Sequence, residues 1–251
     1  MSTLVFSPQS GHSIKPKTKQ WQADFTLGLR RGLPIALGYI PVSFTFGLVA
    51  VRGGLPAWVA VLISLTNLTS AGQFAGTSLI IAGAALFEIT ITTLVINLRY
   101  LLMSLSLSQK LSTTLSLPQR AVMAFGITDE TFSVASLEEQ EVTFPYMLGL
   151  ISGPYCGWGL GTAFGALICS VLPGNLQEAL GITLYAMFIA LLVPNVKRSQ
   201  AALVVALLAI GISSCFTWLP VLNQISDGWS IIVATVTACL VGAALFPRKD
   251  V

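Results

Sequence analysis

Long apolar runs, each separated from the next by a few polar residues, dominate this 251-residue chain. The runs do not show the strict apolar–polar alternation that is typical of membrane β-barrel strands. Because only helices and closed barrels can span a bilayer, runs of this kind predict membrane-spanning helices. The runs cover residues 33–51, 57–82, 84–107, 121–137, 146–172, 176–194, 201–219 and 229–246.

The composition agrees with a protein that folds in lipid. Hydrophobic residues make up 54% of the chain and charged residues 9%, and the mean hydropathy is +0.81. One span needs about 20 apolar residues, so the chain has room for about six to eight spans and for no sizeable soluble module. We predict an all-α, polytopic membrane helix bundle, with a flexible basic tail at 1–24 and one transmembrane domain at 25–251.

The positions of Lys and Arg predict the orientation. The breaks at 173–175 and 223–228 contain no basic residue, whereas other polar segments contain several. Since basic loops stay in the cytoplasm, both termini are expected there, with an even number of crossings. This role, rather than nucleic-acid binding, accounts for the basic tail. The basic residues on which this orientation rests are Lys15, Lys17, Lys19, Arg30, Arg31, Lys197, Arg198, Arg248 and Lys249.

Two arrangements give an even number of crossings. Eight crossings leave Lys110 and Arg120 outside, against the rule for basic residues. Six crossings plus two broken or re-entrant segments, at 57–82 and 121–137, place both charges inside. Two charges are weak grounds against eight, so we favour eight helices and expect at least one of these segments to be unwound in mid-membrane.

Arg99 is an ionisable residue inside an apolar run, where such a group costs about 2.5–3.5 kcal/mol. It lies past the centre of 84–107, and Asn97 adds a polar group at similar depth. One interpretation is that Arg99 extends to an interface near the helix end. The other is that its guanidinium binds a carboxylate of the protein or of a substrate.

Asp129 and Glu130 are adjacent acids in the segment FGITDETF. They admit three interpretations: exposure at a helix end, an ion pair with Arg99, or a place in a transport pathway that binds a cationic group or a proton. Adjacent residues do not share a helix face, so we expect one acid to point into the bundle. Thr128 precedes them as a candidate N-cap, which places Asp129 in a first helical turn that favours negative charge.

A second polar island, NLTSAGQFAG, spans residues 67–76. Its small residues are compatible with close helix packing. The alternative is an unwound stretch whose backbone groups, together with Ser70, Gly72 and the amide of Gln73, bind a small polar substrate.

Motifs of enzymes and cofactor sites are missing. The single histidine, His12, lies in the polar tail, so no Ser–His dyad or His-ligated metal site is expected at membrane depth. The chain has no phosphate-binding loop and no dinucleotide fingerprint. We predict that it is not an enzyme and has no cofactor or metal site.

Four segments together resemble the AzlC family, the larger subunit of bacterial branched-chain amino-acid exporters. They are LPIALGYIPVSFTFG at 33–47, SAGQF at 70–74, NLRYLLMS at 97–104 and FGITDETF at 125–132. The resemblance covers nearly all of the chain from Arg31 onward. In two places the chain departs from the family pattern: Tyr100 replaces a usual histidine, and Leu68–Thr69 precede Ser70.

The resemblance implies a bacterial inner-membrane exporter of valine, leucine, isoleucine and, as a further candidate, methionine. It also implies a small, separately encoded membrane partner of the AzlD type. For this chemistry Arg99 is the candidate ligand of the substrate carboxylate, and Asp129 or Glu130 the candidate for the ammonium group or a coupling proton. The alternatives are a channel or uniporter for another small polar solute and a non-transporting scaffold subunit.

Overall fold

The computed structural model describes residues 17–112, 114–169 and 196–247, together with positions 171, 173, 175, 182, 186, 189 and 192–194. These residues form helices without any regular β-strand, which confirms the all-α prediction. The helices are α1 (Lys17–Arg52), α2 (Ala57–Thr66), α3 (Ala71–Ile81), α4 (Leu86–Ser108), α5 (Leu117–Phe125), α6 (Asp129–Ser136), α7 (Phe144–Ile168), α8 (Gln200–Trp218) and α9 (Asp227–Leu245).

Four helices in the described part of the chain are both long enough and apolar enough to cross a membrane: α1, α4, α8 and α9. Helix α7, with 25 residues, is also about 37 Å long, which exceeds the roughly 30 Å of a bilayer core. The apolar run predicted at 176–194 lies mostly outside the described residues.

The amino-terminal boundary differs from the expected one. Helix α1 begins at Lys17, so residues 17–24 belong to this helix rather than to a flexible tail. Residues 1–16 lie outside the described part of the chain.

Helices α1 and α7 form the centre of the bundle and run in the same direction. Gly28 of α1 lies against the backbone of Tyr146, near the start of α7, and Gly47 lies against Thr162, near its end. At Gly149 an added Cβ would clash with the backbone of α1, so glycine permits this close approach.

The first broken helix, α2 and α3, returns to the end of the bundle from which it starts. Gly53, just before α2, is in contact with Ile81, the last residue of α3. The two helices have 10 and 11 residues, so each extends about 15 Å, or half of a bilayer core. The pair is therefore a re-entrant hairpin, and its tip at residues 67–70 lies in mid-membrane.

The second broken helix, α5 and α6, enters from the other end. Its helices have 9 and 8 residues, which are also too few to cross. The ammonium group of Lys110, after α4, donates a hydrogen bond to the carbonyl of Ser136 at the end of α6. At the start of the hairpin, Gln119 lines a small cavity with Thr143, just before α7. The hairpin therefore begins and ends where α4 ends and α7 begins.

The expectation of eight full crossings is wrong, because both broken segments return to their own side. The described helices fit the arrangement with fewer crossings and two re-entrant segments. In this arrangement Lys110 lies at the same end of the bundle as the ion pair between Arg31 of α1 and Glu138. We call this the basic end, and the end with Gly53 and Ile81 the opposite end.

The last two helices complete the bundle as an antiparallel pair. Helix α9 starts at the opposite end, where the Ser226 hydroxyl donates a 2.5 Å hydrogen bond to Glu88 in the first turn of α4. Near its other end, Gly242 lies against Val205 of α8. Helix α9 therefore ends on the side from which α1 starts.

Candidate functional site

The tips of the two re-entrant hairpins meet at one cavity of about 620 Å³, near the middle of α4 and α7. This first cavity falls within the range of about 300–1,000 Å³ that is typical of small-molecule sites. Its polar lining consists of Tyr39, Ser70, Arg99, Tyr100, Thr128, Asp129 and Glu130. Its apolar lining consists of Pro34, Ile35, Val42, Leu68, Ala71, Trp158 and Leu192, with Gly38 alongside.

An ion pair joins α4 to the tip of the second hairpin. The Arg99 guanidinium lies 2.6 Å from the Asp129 carboxylate, and both side chains remain about 40% exposed, at 41% and 40%. Since both residues line the cavity, this exposed surface faces its interior. Of the interpretations left open by the sequence, the structure shows an Arg99–Asp129 pair within the bundle and not an arginine extended to an interface.

Tyr100 holds the guanidinium from its other side. Arg99 donates a 3.1 Å hydrogen bond to the Tyr100 hydroxyl, and its central carbon lies 4.9 Å from the centre of the Tyr100 ring. The Tyr100 hydroxyl in turn donates to the carbonyl of Thr69 in the tip of the first hairpin, at 3.1 Å. The residue in the place of the usual histidine therefore links Arg99 to both the cavity and the α2–α3 hairpin.

Glu130 also lines the cavity, with a different partner. The Tyr39 hydroxyl donates to the Glu130 carboxylate and lies 2.8 Å from the Thr128 hydroxyl. The expectation that one acid alone points inward is therefore wrong. The first turn of α6 meets the cavity with its end rather than with its side, so two adjacent side chains reach the same space.

Thr128 is the N-cap of α6, as predicted. Its hydroxyl accepts the N–H of Thr131 at 3.2 Å, and the Thr131 hydroxyl accepts the N–H of Thr128 at 2.8 Å. This reciprocal capping satisfies two backbone donors that the start of a helix leaves unpaired. Asp129 and Glu130 therefore occupy a fixed first turn, where the helix dipole favours their charge.

Ser70, in the other tip, has a strained backbone. It precedes α3 with φ at +46°, a left-handed value, and its side chain makes no capping hydrogen bond. Such a conformation costs about 1–3 kcal/mol in a residue other than glycine. The two tips therefore supply the cavity with a capped, acidic turn on one side and a strained, neutral turn on the other.

Three predicted site residues do not line this cavity. Gly72, Gln73 and Asn97 instead line a second cavity of about 550 Å³ between α2, α3 and α4. Gln73 is buried, and its amide is occupied by the protein: Trp158 donates to its oxygen at 3.0 Å, and its nitrogen donates to Ser64 at 2.6 Å. A direct contact of Gln73 with a substrate in the first cavity is therefore excluded in this conformation.

Sequence reasoning missed three aromatic residues of the first cavity: Tyr39, Tyr100 and Trp158. Tyr39 and Trp158 meet edge to face, with ring centres 5.2 Å apart. Aromatic residues are ordinary in apolar runs, so hydropathy gives no signal for them. For Tyr100 the signal was its position directly after Arg99.

The part of the chain that the structure describes contains no cluster of three or more His, Cys, Asp or Glu that could hold a metal ion.

Comparisons with known proteins agree with this architecture. The family described as "AzlC protein" matches residues 34–172, which include both hairpins and the first cavity's charged residues. The chain is 32% identical over 203 residues to "Inner membrane protein YgaZ" of Escherichia coli, covering 78% of this chain and 83% of the relative.

Other relatives are also membrane proteins. One from Archaeoglobus fulgidus, named "Uncharacterized membrane protein", is 37% identical over 177 residues, which are 70% of this chain and 77% of the relative. One of the same name from Helicobacter pylori is 30% identical over 173 residues, covering 66% and 73%. No solved structure matches the chain. The family match and these relatives show that the chain belongs to the AzlC family of membrane proteins.

Proposed function

We propose that this protein is a secondary transporter that exports branched-chain amino acids from the cytoplasm, driven by the proton gradient and acting with a small membrane subunit of the AzlD type. The observation that supports it is the Arg99–Asp129 pair, which lines a cavity near the middle of the bundle. Charged groups at that depth are costly and mark substrate or ion pathways. In this proposal the basic end faces the cytoplasm.

The ion pair matches the charges of a zwitterionic amino acid. A guanidinium offers a planar pair of donors to a carboxylate, and a carboxylate accepts the donors of an ammonium group. A substrate that inserts between Arg99 and Asp129 replaces one ion pair with two. The site therefore remains neutral in both states, which limits the cost of desolvating charge.

The apolar lining accounts for the side-chain preference. Ile35, Val42, Leu68 and Leu192 border the cavity together with the indole of Trp158. Each CH₂ group buried against such a surface contributes about 0.8 kcal/mol. Valine, leucine and isoleucine therefore gain more from this cavity than glycine, alanine or a polar amino acid.

Glu130 is the candidate for proton coupling. It has no Lys or Arg partner in the described part of the chain, and its carboxylate accepts from the Tyr39 hydroxyl. In this proposal Glu130 carries the coupling proton, while Asp129 pairs with Arg99 in the empty site and with the ammonium group of a bound substrate.

The two hairpins supply the means of alternating access. They enter from opposite ends, and their tips meet at the first cavity, which is how several transporter folds place broken helices at a central site. A displacement of either hairpin opens the cavity to its own side of the membrane. The described architecture thus supports transport better than it supports a scaffold role.

The test is efflux of labelled valine, leucine and isoleucine from cells that lack their own exporter, with and without the small subunit. We expect Arg99→Gln to abolish efflux at normal membrane levels. The matched control is Leu98→Val, at an exposed neighbouring position on α4. Wild-type efflux in Arg99→Gln contradicts the site assignment and favours a scaffold subunit.

Energy coupling needs a second measurement. In vesicles, external pH should change the export rate, and an uncoupler should abolish accumulation against a gradient. If the export rate changes with neither external pH nor the uncoupler, transport is not coupled to protons, and a uniporter or channel explains the export better.

A further inference from the structure

The second cavity, between α2, α3 and α4, has no role in the site described above. It extends from Asn97 in the middle of α4 to Ile80 and Ile89, near the opposite end of the bundle. The first cavity instead borders α1 between Pro34 and Val42, and α4 at Arg99 and Tyr100. The second cavity therefore lies closer to the opposite end of the bundle than the first cavity does.

Seven of the residues that line the second cavity have polar side chains. Thr66, Asn67, Gln73, Thr77, Thr90, Thr93 and Asn97 all border it. Two of their buried oxygens, Oγ1 of Thr77 and Oδ1 of Asn97, have no hydrogen-bond partner in the described residues. Unpaired buried polar atoms are costly, and in membranes polar side chains face either the protein interior or a water-filled space. These two oxygens have almost no accessible surface and are not reached from the cavity. The other polar side chains of the lining are suited to contact water or a polar solute.

A thin layer of protein separates the two cavities. Ser70 and Ala71 border the first cavity, whereas Gly72 and Gln73, the next two residues of α3, border the second. Gly72 lies directly against the amide of Asn97, so that an added Cβ would clash with it. On α4, Asn97 borders the second cavity and Arg99 the first.

We propose that the second cavity is the outer half of the substrate path and that the Gly72–Asn97 contact is its closed gate. This inference rests on the proposed transport function and adds a route and a gate to it. The solute that occupies the outer half is the same zwitterionic amino acid, accompanied by water. Gln73, which bonds to Trp158 of the first cavity while lining the second, connects the gate to the binding site.

The start of α3 is suited to act as the moving part of this gate. Ser70 holds a strained backbone and caps the helix with no side-chain hydrogen bond. A small rotation of this turn away from α4 relieves the strain and separates Gly72 from Asn97. The same rotation moves Thr69, whose carbonyl accepts from Tyr100, so that the gate and Arg99 respond together.

The inference is tested with single cysteines in a chain whose four native cysteines are replaced by serine, expressed with the small subunit. A membrane-impermeant methanethiosulfonate reagent is added to the outside of intact cells. The reporter is Thr93→Cys in the second cavity, and the control is Leu98→Cys, an exposed position on α4 outside both cavities. Thr90→Cys serves as a second reporter, so that poor folding of one variant does not remove the test.

We expect Thr93→Cys to react at least about tenfold faster than Leu98→Cys, since a thiol in water forms the reactive thiolate and a thiol in lipid does not. A smaller ratio for both reporters overturns the inference and indicates that lipid or another protein covers this surface.

The gate is tested with Ser70→Cys, which lies in the first cavity. With the reagent outside, Ser70→Cys should react slowly in the otherwise unchanged protein. Adding Asn97→Ala should raise the reaction rate of Ser70→Cys at least about tenfold. The rate of Thr93→Cys should not change, because Thr93 already lies on the outer side of the gate. If Asn97→Ala does not accelerate the labelling of Ser70→Cys, the gate is refuted.

The labelling experiment needs no amino acid, so its result is independent of the substrate. The expected labelling in a protein without amino-acid efflux refutes the proposed substrate. Efflux without the expected labelling refutes the outer path alone.

Discussion

The two re-entrant hairpins both reach the first cavity but differ in how their tips are built. The α5–α6 tip carries two acids and is fixed by the reciprocal cap between Thr128 and Thr131. The α2–α3 tip is neutral, strained at Ser70 and uncapped by any side chain of its own. This difference suggests two roles in our proposal: the capped α5–α6 tip holds the charged residues in place, and the strained α2–α3 tip moves.

The largest expected effect comes from the charge on the capped tip. Asp129→Asn leaves the Arg99 cation without its partner, and a hydrogen bond to a charged group contributes about 1.5–3 kcal/mol. We expect a loss of efflux of about tenfold to 100-fold, since each 1.4 kcal/mol corresponds to about tenfold. Leu98→Val, at an exposed position on α4 outside both cavities, is the control and should retain efflux.

The double variant Arg99→Gln/Asp129→Asn separates structure from transport. It removes both charges, so thermal stability in detergent should recover relative to either single variant. Efflux should not recover, because no group remains for the substrate's own charges. Recovery of efflux in the double variant contradicts a binding role for the pair.

A smaller effect is expected at Glu130, whose task in this account is the proton. Glu130→Gln should leave substrate exchange within about tenfold of wild type, because the Arg99–Asp129 pair is intact. Accumulation against a gradient and the dependence of rate on pH should disappear. Tyr39→Phe, which removes the hydroxyl but keeps the carboxylate, should shift the pH profile without abolishing it. An unchanged pH profile in Glu130→Gln assigns coupling to another group.

The cap on the α5–α6 tip should have a moderate effect. Thr128→Ala removes the hydroxyl that accepts from Thr131, and loss of such a cap costs about 1 kcal/mol. The measurement is thermal inactivation of the purified protein, compared with Ser133→Ala at an exposed position on the same helix. Equal stability of the two variants refutes the view that this tip is the fixed one.

The smallest effect is expected for Ser70→Gly. Glycine relieves the strain of a positive φ but adds freedom to the unfolded chain, so the two effects offset to within about 1 kcal/mol. Efflux should change by less than about threefold, a difference of about 0.7 kcal/mol. A loss of tenfold or more shows that the Ser70 hydroxyl itself contacts the substrate.

The sequence carries much of this architecture. Hydropathy predicts the helices, and the polar residues within 57–82 and the short run at 121–137 indicate where two of them break. Whether a broken segment crosses or returns depends on contacts between distant residues, such as Gly53 with Ile81 and Lys110 with Ser136. Hydropathy contains no such information, so the apolar runs alone fit eight crossings as well as six.

The site was predictable where charge was conspicuous. Arg99, Asp129 and Glu130 stand out because apolar runs rarely contain ionisable residues. Gln73 and Asn97 were also predicted as substrate-binding residues, but they line the second cavity rather than the first. Residue spacing alone does not show on which side of a helix a neighbour packs. Tyr39 and Trp158 gave no signal, since their role depends on being brought together by α1 and α7.

Binding of leucine to the purified protein tests the central claim most directly. By calorimetry at matched protein concentration, leucine should bind, while leucinamide, which lacks the carboxylate, and 4-methylpentanoate, which lacks the ammonium group, should each bind at least about tenfold more weakly. Arg99→Gln should bind leucine no better than the wild type binds leucinamide, because both cases lose the contact between Arg99 and the carboxylate. Undiminished leucine affinity in Arg99→Gln contradicts the account.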